Sequence, residues 1–125
     1  MLLLLSLAID IATVGAGTAE QRYCVPPGDT GEWFLRGATF VPATAVSANA
    51  TNYTTISLKN GSTTLGTIST ATTAFVLGTP RPFTLGGGVA REFTGMTDVL
   101  TIDKAESGTG GILDGCIVLL WERVR

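Results

Sequence analysis

From Gly28 onward, apolar and polar residues alternate with a period of two, in Thr-, Val-, Ile- and Gly-rich text broken by turn residues at roughly 8–12-residue intervals. No long stretch keeps a helical period. The pattern predicts an all-β fold, a single antiparallel β-sandwich of jelly-roll-like character. Its clearest unit is "NYTTISLKNGSTTLGTIST". Over residues 53–59, Thr54, Ile56 and Leu58 share one face; Asn60-Gly61 then supplies the positive φ angles of a type I′ turn, and residues 63–70 return. Leu65 and Ile68 fall on opposite parity, which a bulge near Gly66 reconciles.

In "GEWFLRGATFV" the alternation sets Trp33 and Leu35 on one face and Phe34 and Arg36 on the other, and Pro42 stops the strand. "PFTLGGGVAREF" holds two short strand pieces around a triple glycine, expected to be too flexible to carry core weight. In "DVLTIDKAESGTGG" residues 99–105 form a strand with Leu100 and Ile102 facing one way and Thr101 and Asp103 the other, before a glycine loop. The last element, "CIVLLWERV", is apolar on both parities over residues 116–121. It is either a central strand covered on both sides or one whose outer face meets a partner.

The opening "MLLLLSLAIDIATVGAG" is harder to place. Leu7, Ile9 and Ile11 alternate as in a strand, whereas Leu3, Leu7, Ile11 and Val14 align on one helix face. No Lys or Arg precedes Arg22 and Asp10 interrupts the run, so a cleaved secretory leader is not expected. The apolar run over residues 1–9 is less than half the roughly twenty needed to cross a bilayer, so no membrane partner is expected. Burial of its leucines does not by itself offset the entropy of ordering it, so an ordered segment here needs backbone pairing as well. A neighbouring subunit's sheet edge supplies that by strand addition. The expectation is therefore an extended N-terminal arm over residues 1–24 and a sandwich domain over residues 25–125. Leu2, Leu3, Leu4, Leu5, Leu7, Ile9, Ile11 and Trp121 are the candidate subunit contacts. The alternative is that the segment folds back as an ordinary edge strand of its own sandwich.

Composition sharpens this picture. Charged residues make up 14% of the chain against roughly 25% in an average soluble domain, so part of the surface is expected to lie against protein. Net charge is −2 and the eight Lys and Arg are scattered singly, which lacks the footprint of nucleic-acid binding. Histidine is absent altogether, and with it go the Ser-His-Asp triad, the Cys-His pair and imidazole ligation of metals.

Cys24 and Cys116 stand far apart in no CxxC pattern, more in keeping with two small buried hydrophobes than with a stapled scaffold. Asp98, Asp103, Glu106 and Asp114 are near in sequence, yet their spacing matches no calcium loop, and charged rims are the ordinary case. "GTGG" and "GGGVA" precede no helix and carry no P-loop lysine. Three N-glycosylation triplets, at Asn49, Asn52 and Asn60, arise easily in a Thr-rich chain. Nine aromatics are too dispersed for a sugar-stacking platform, and Trp33, Tyr53 and Trp121 read as core or interface anchors. No catalytic residue, metal ligand or cofactor site is singled out.

The succession "NYTTISLKNG" and then "FTGMTDVLTIDKAESGTGGILDGCIVLLWERVR" resembles small β-sandwich structural proteins of tailed bacteriophages, over roughly residues 40–125. In those proteins a Thr-rich hairpin precedes a Gly-Asp-Val-Leu-like start of a strand, a Gly-rich loop and a final apolar strand; here Gly95-Met96-Thr97-Asp98 stands at that start. The resemblance implies a capsid decoration, or cement, protein: a non-enzymatic virion component, often a homotrimer, that clamps neighbouring subunits of the major capsid protein. The rival expectation is a carbohydrate-binding or adhesin-type fibre module using loops around residues 86–96 and 106–115.

Overall fold

Over residues 32–42, 53–60, 99–107 and 115–123 the buried apolar residues follow the strand alternation, and their two sets meet between two sheets. The computed structural model describes residues 3–11, 19–24, 31–86, 88–94, 98–108 and 115–124. The strands are β1 (Leu3–Ile11), β2 (Ala19–Cys24), β3 (Glu32–Pro42), β4 (Tyr53–Asn60), β5 (Thr63–Ser69), β6 (Arg81–Pro82), β7 (Glu92–Thr94), β8 (Val99–Ser107) and β9 (Gly115–Arg123). A 3-10 turn, Gly88–Arg91, leads into β7. Sheet A runs β1-β9-β3-β6, with β7 also pairing β3, and sheet B runs β2-β8-β4-β5; every pairing is antiparallel. With β6 and β7 counted as two pieces of one broken strand, this order is that of a jelly roll, the chain crossing between sheets at each step except the β4–β5 hairpin.

The core is the apolar filling between sheets: Trp33, Leu35 and Phe40 of β3 and Ile117, Leu119 and Trp121 of β9 on one side, Ile56, Leu58, Leu100 and Ile102 on the other. Edge-on aromatic pairs close its two ends, Phe40 with Phe75 at 5.7 Å and Phe93 with Trp121 at 5.1 Å. β3 changes parity on the way. Trp33 and Leu35 are buried before the register shift between Leu35 and Gly37, and Ala38 and Phe40 after it, so Arg36 is the extra residue of a bulge, which the faces expected for residues 33–36 alone do not reveal. The bulge expected near Gly66 is present: Leu58 pairs Gly66 and Lys59 pairs Thr64, which leaves Leu65 unpaired and pointing into the core.

Three expectations are corrected. The hairpin loop is Gly61-Ser62, enclosed by the Asn60–Thr63 pair and so one residue later than the predicted Asn60-Gly61, and Gly61 has a φ of 60°. The segment around the glycine triplet does carry core weight: Phe83 and Phe93 are both buried, held by β6 and β7 against β3. The third concerns the N-terminal segment. Residues 3–11 pair with β9 in an unbroken register from Leu3–Arg123 to Ile11–Gly115, and residues 19–24 pair with β8. The backbone pairing that this segment requires comes from the chain's own last strand, which has one side on β3 and the other open to it. The segment is thus one strand of each sheet in place of an extended arm.

Candidate interaction surface on sheet A

β9 is the strand whose two parities are both apolar, and its position decides between the two readings of that pattern. Its inward set, Ile117, Leu119 and Trp121, is sealed in the core. Its outward set is Cys116, Val118 and Leu120, beside Val41, Thr39 and Gly37 of β3, and no third layer of described residues lies over them. Leu120 is 38% exposed, and Gly37 opposite it brings no side chain. β9 is therefore central within its sheet, and no layer of described residues covers its outer face.

The bulge borders this apolar strip with charge. Arg36 forms an ion pair with Glu122, which the β9 parity places on the same outer face. Hydrogen bonding to Arg36 holds the Glu122 carboxyl below the usual carboxylate range and, reciprocally, raises the guanidinium above its ordinary value. Phe34 lies between this pair and the 3-10 turn, its ring 4.8 Å from the Arg36 guanidinium carbon and 4.5 Å from that of Arg91.

A second apolar feature sits at the end of the sandwich where β3, β5 and β8 finish. Phe75 is buried and bridges to Val46 through paired backbone hydrogen bonds of 2.9 and 2.8 Å. The next residues turn sharply: Thr79 N–H donates to the Val76 carbonyl, Gly78 N–H to the Pro42 carbonyl, and Gly78 takes φ 72°. This turn holds Val76 and Leu77 in solvent, 56% and 63% exposed. Turn chemistry at Gly78 was the available signal for this tip, and the alternation passes over it because it belongs to no strand.

The sequence candidates disperse. Trp121 is 1% exposed and packs on Phe93 inside the chain's own core. Leu3, Leu4, Leu5, Leu7, Ile9 and Ile11 lie on β1, and Leu2 lies outside the described residues. The carboxylates do not converge: Asp98 accepts from Thr94 N–H at 2.7 Å at one end of β8, Asp103 pairs with Lys59 at mid-strand, and Glu106 lies near the other end. Asp114 lies outside the described residues. Cys24 is opposite Val99 in sheet B and Cys116 opposite Val41 at the far end of sheet A, a separation that no disulfide spans. Asn60 donates its side-chain amide to the Ala90 and Glu92 carbonyls, tying the hairpin to β7.

The loops proposed for a glycan site also part company. Residues 88–94 precede the first residue of β8 and residue 108 follows its last, so a nine-residue strand, about 27 Å long, separates them.

No family model matches the chain, and no curated protein does. Among solved structures it is similar to one of Bacillus endospore appendages, described as a family of disulfide-linked pili, at 17% identity and a TM-score of 0.49 over 98% of this chain and 87% of that one. It is also similar to Desmodium yellow mottle tymovirus, at 14% identity and a TM-score of 0.42 over 98% and 86%. Likenesses at this level carry no function across, so this chain's role is read from its own surface.

Proposed function

We propose that this chain is a non-enzymatic structural protein of a virion, seated on the surface of a phage head, where it stabilises the shell by clamping neighbouring major capsid protein subunits. The observation that carries the reading is the uncovered outer face of β9: Val118 and Leu120, beside Val41, form an apolar strip on a chain with few charges to keep it in solution. The Val76–Leu77 tip gives a second, separate apolar contact. Engaging two shell subunits at once raises effective concentration, and binding only the mature lattice opposes its disassembly by mass action.

The carbohydrate-binding alternative finds less support. Its loops lie at opposite ends of β8, and the aromatic nearest the first of them, Phe93, is buried. The test is co-sedimentation with heads lacking the chain. Native protein is expected to bind and to raise the heat resistance of the heads. Leu120→Glu, which sets an unpaired charge in the contact, is expected to lower affinity by at least about tenfold with unfolding unchanged. Ser57→Glu on the outer face of sheet B is expected to bind as native. Saturable sugar binding on a glycan array, or equal loss from both variants, overturns the reading.

A further inference from the structure

The four edges of the sandwich are unequally defended. An open edge offers a row of unpaired N–H and C=O groups, and native proteins blunt it with short strands, proline, bulges, charge or a covering segment. On the β3 side of sheet A the edge is broken into two pieces, Arg81–Pro82 and Glu92–Thr94, one of them containing proline. The β5 edge of sheet B is bulged at Leu65 and covered: Gly86 N–H donates to the Leu65 carbonyl at 2.8 Å, and a Cβ on Gly66 would stand 2.9 Å from the Thr84 carbonyl oxygen. The β2 edge is six residues long and carries Glu20 and Arg22.

Among the described residues, β1 shows none of these devices. It is nine residues long, its register with β9 is unbroken, it contains no proline or glycine, and its single charge is Asp10. From this we infer that β1 is a docking edge whose partner is the β1 of a second copy of this chain, paired antiparallel about a two-fold axis through Leu7. The copy is selected by elimination: among the described strands no other edge is open and unguarded, so a head-to-tail contact lacks its second half, whereas an isologous one uses the same edge twice and closes.

The sequence of the strand agrees. About residue 7 all nine positions find partners, Leu3 with Ile11, Leu5 with Ile9 and Leu7 with itself on one parity, and Ser6 with Ala8 and Leu4 with Asp10 on the other. No two like charges meet. The first set is the one that lies opposite Ile117, Leu119 and Trp121 within each copy, so sheet A continues across the axis without a change of face. The resemblance to cement proteins implies a three-fold assembly; the edge inventory favours a two-fold one.

This inference deepens the structural reading above without sharing its test. Sedimentation velocity on the full chain is expected to give a dimer at micromolar concentration. Ser6 and Ala8 are opposite each other across the axis, on the parity that faces outward on β9, so lysine at both, S6K/A8K, sets two like-charge pairs in register and is expected to give monomer. The charge-reversed S6E/A8K places opposite charges there and is expected to stay dimeric, while thermal unfolding of both reports whether the sandwich survives. A monomeric native chain, a trimer, or a folded S6K/A8K that remains dimeric overturns the proposal. Binding of a monomeric native chain to phage heads would overturn the β1 pairing alone and leave the function standing.

Discussion

Viewed from outside, sheet B presents Thr55, Ser57 and Lys59 of β4 beside Thr101, Asp103 and Ala105 of β8, whereas sheet A presents Thr39 and Val41 of β3 beside Cys116, Val118 and Leu120 of β9. The apolar inner residues of both sheets meet in one core, and sheet B also buries Thr54 and Lys104 on its inner parity. One outer face is made of hydroxyls and an ion pair and is suited to water. The other is mainly aliphatic, with the Cys116 thiol and the single hydroxyl of Thr39, and its aliphatic groups gain free energy when a protein surface covers them. The proposed interaction surface rests on this contrast.

The contrast is broken most severely at adjacent leucines on β9. Leu119→Ala removes a core side chain and is expected to cost about 2–5 kcal/mol, because the surrounding sheet does not collapse into the void. Leu120→Ala, one residue along and on the opposite face, is expected to cost under about 1 kcal/mol in the isolated chain. Urea unfolding of the two variants reads the difference directly. Equal losses would mean that the outer face is already packed, and would remove it as a contact surface.

Much of this was legible in the sequence, and the gaps have physical causes. The 53–70 hairpin, with Thr54, Ile56 and Leu58 inward and a bulge at Leu65, follows from parity. The bulge at Arg36 was also written there, in the switch from Trp33 and Leu35 to Ala38 and Phe40, but only when the whole of residues 32–42 is taken as one strand. Phe83, just after the two-residue β6 and donating its N–H to the Ala38 carbonyl, and Phe93, on the three-residue β7, escaped because pieces this short show no alternation, and tertiary pairing with β3 holds them. The N-terminal segment was read as needing a pairing partner, which was sound. That the partner is β9 is a long-range fact, joining residue 3 to residue 123, which no local pattern encodes. The apolar outer face of β9 was legible as one of two alternatives, and in the structure the strand is central in sheet A with no described layer over that face.

A smaller effect sharpens the comparison on the polar side. Lys59 and Asp103 pair across the outer face of sheet B with both side chains partly in solvent. A double-mutant cycle with Lys59→Ala and Asp103→Ala is expected to give a coupling of about 0.2–1 kcal/mol that weakens in salt. A coupling of several kcal/mol would show the pair to be shielded from water, and sheet B would then be the covered face.

The smallest effect belongs to the ion pair at the rim of sheet A. Glu122 has its folded pKa depressed, first by the hydrogen bond from Arg36, so its contribution is fully present above the unfolded carboxylate value of roughly 4.3 and is lost as pH falls through the lower folded value. Stability of the native chain is therefore expected to fall more between about pH 5 and pH 3 than that of Glu122→Gln, whose neutral amide has no proton to gain; subtracting the two profiles removes the titration of the other carboxylates. The difference is expected to be small because Arg36 is half in solvent, where water and salt screen the pair. On a shell that covers sheet A the same pair would lose its water, and the acid sensitivity of the bound protein would exceed that of the free one. Identical acid profiles for the native and Glu122→Gln chains, free and bound alike, would leave Arg36 as the residue a bulge requires and assign the pair no share in stability or docking.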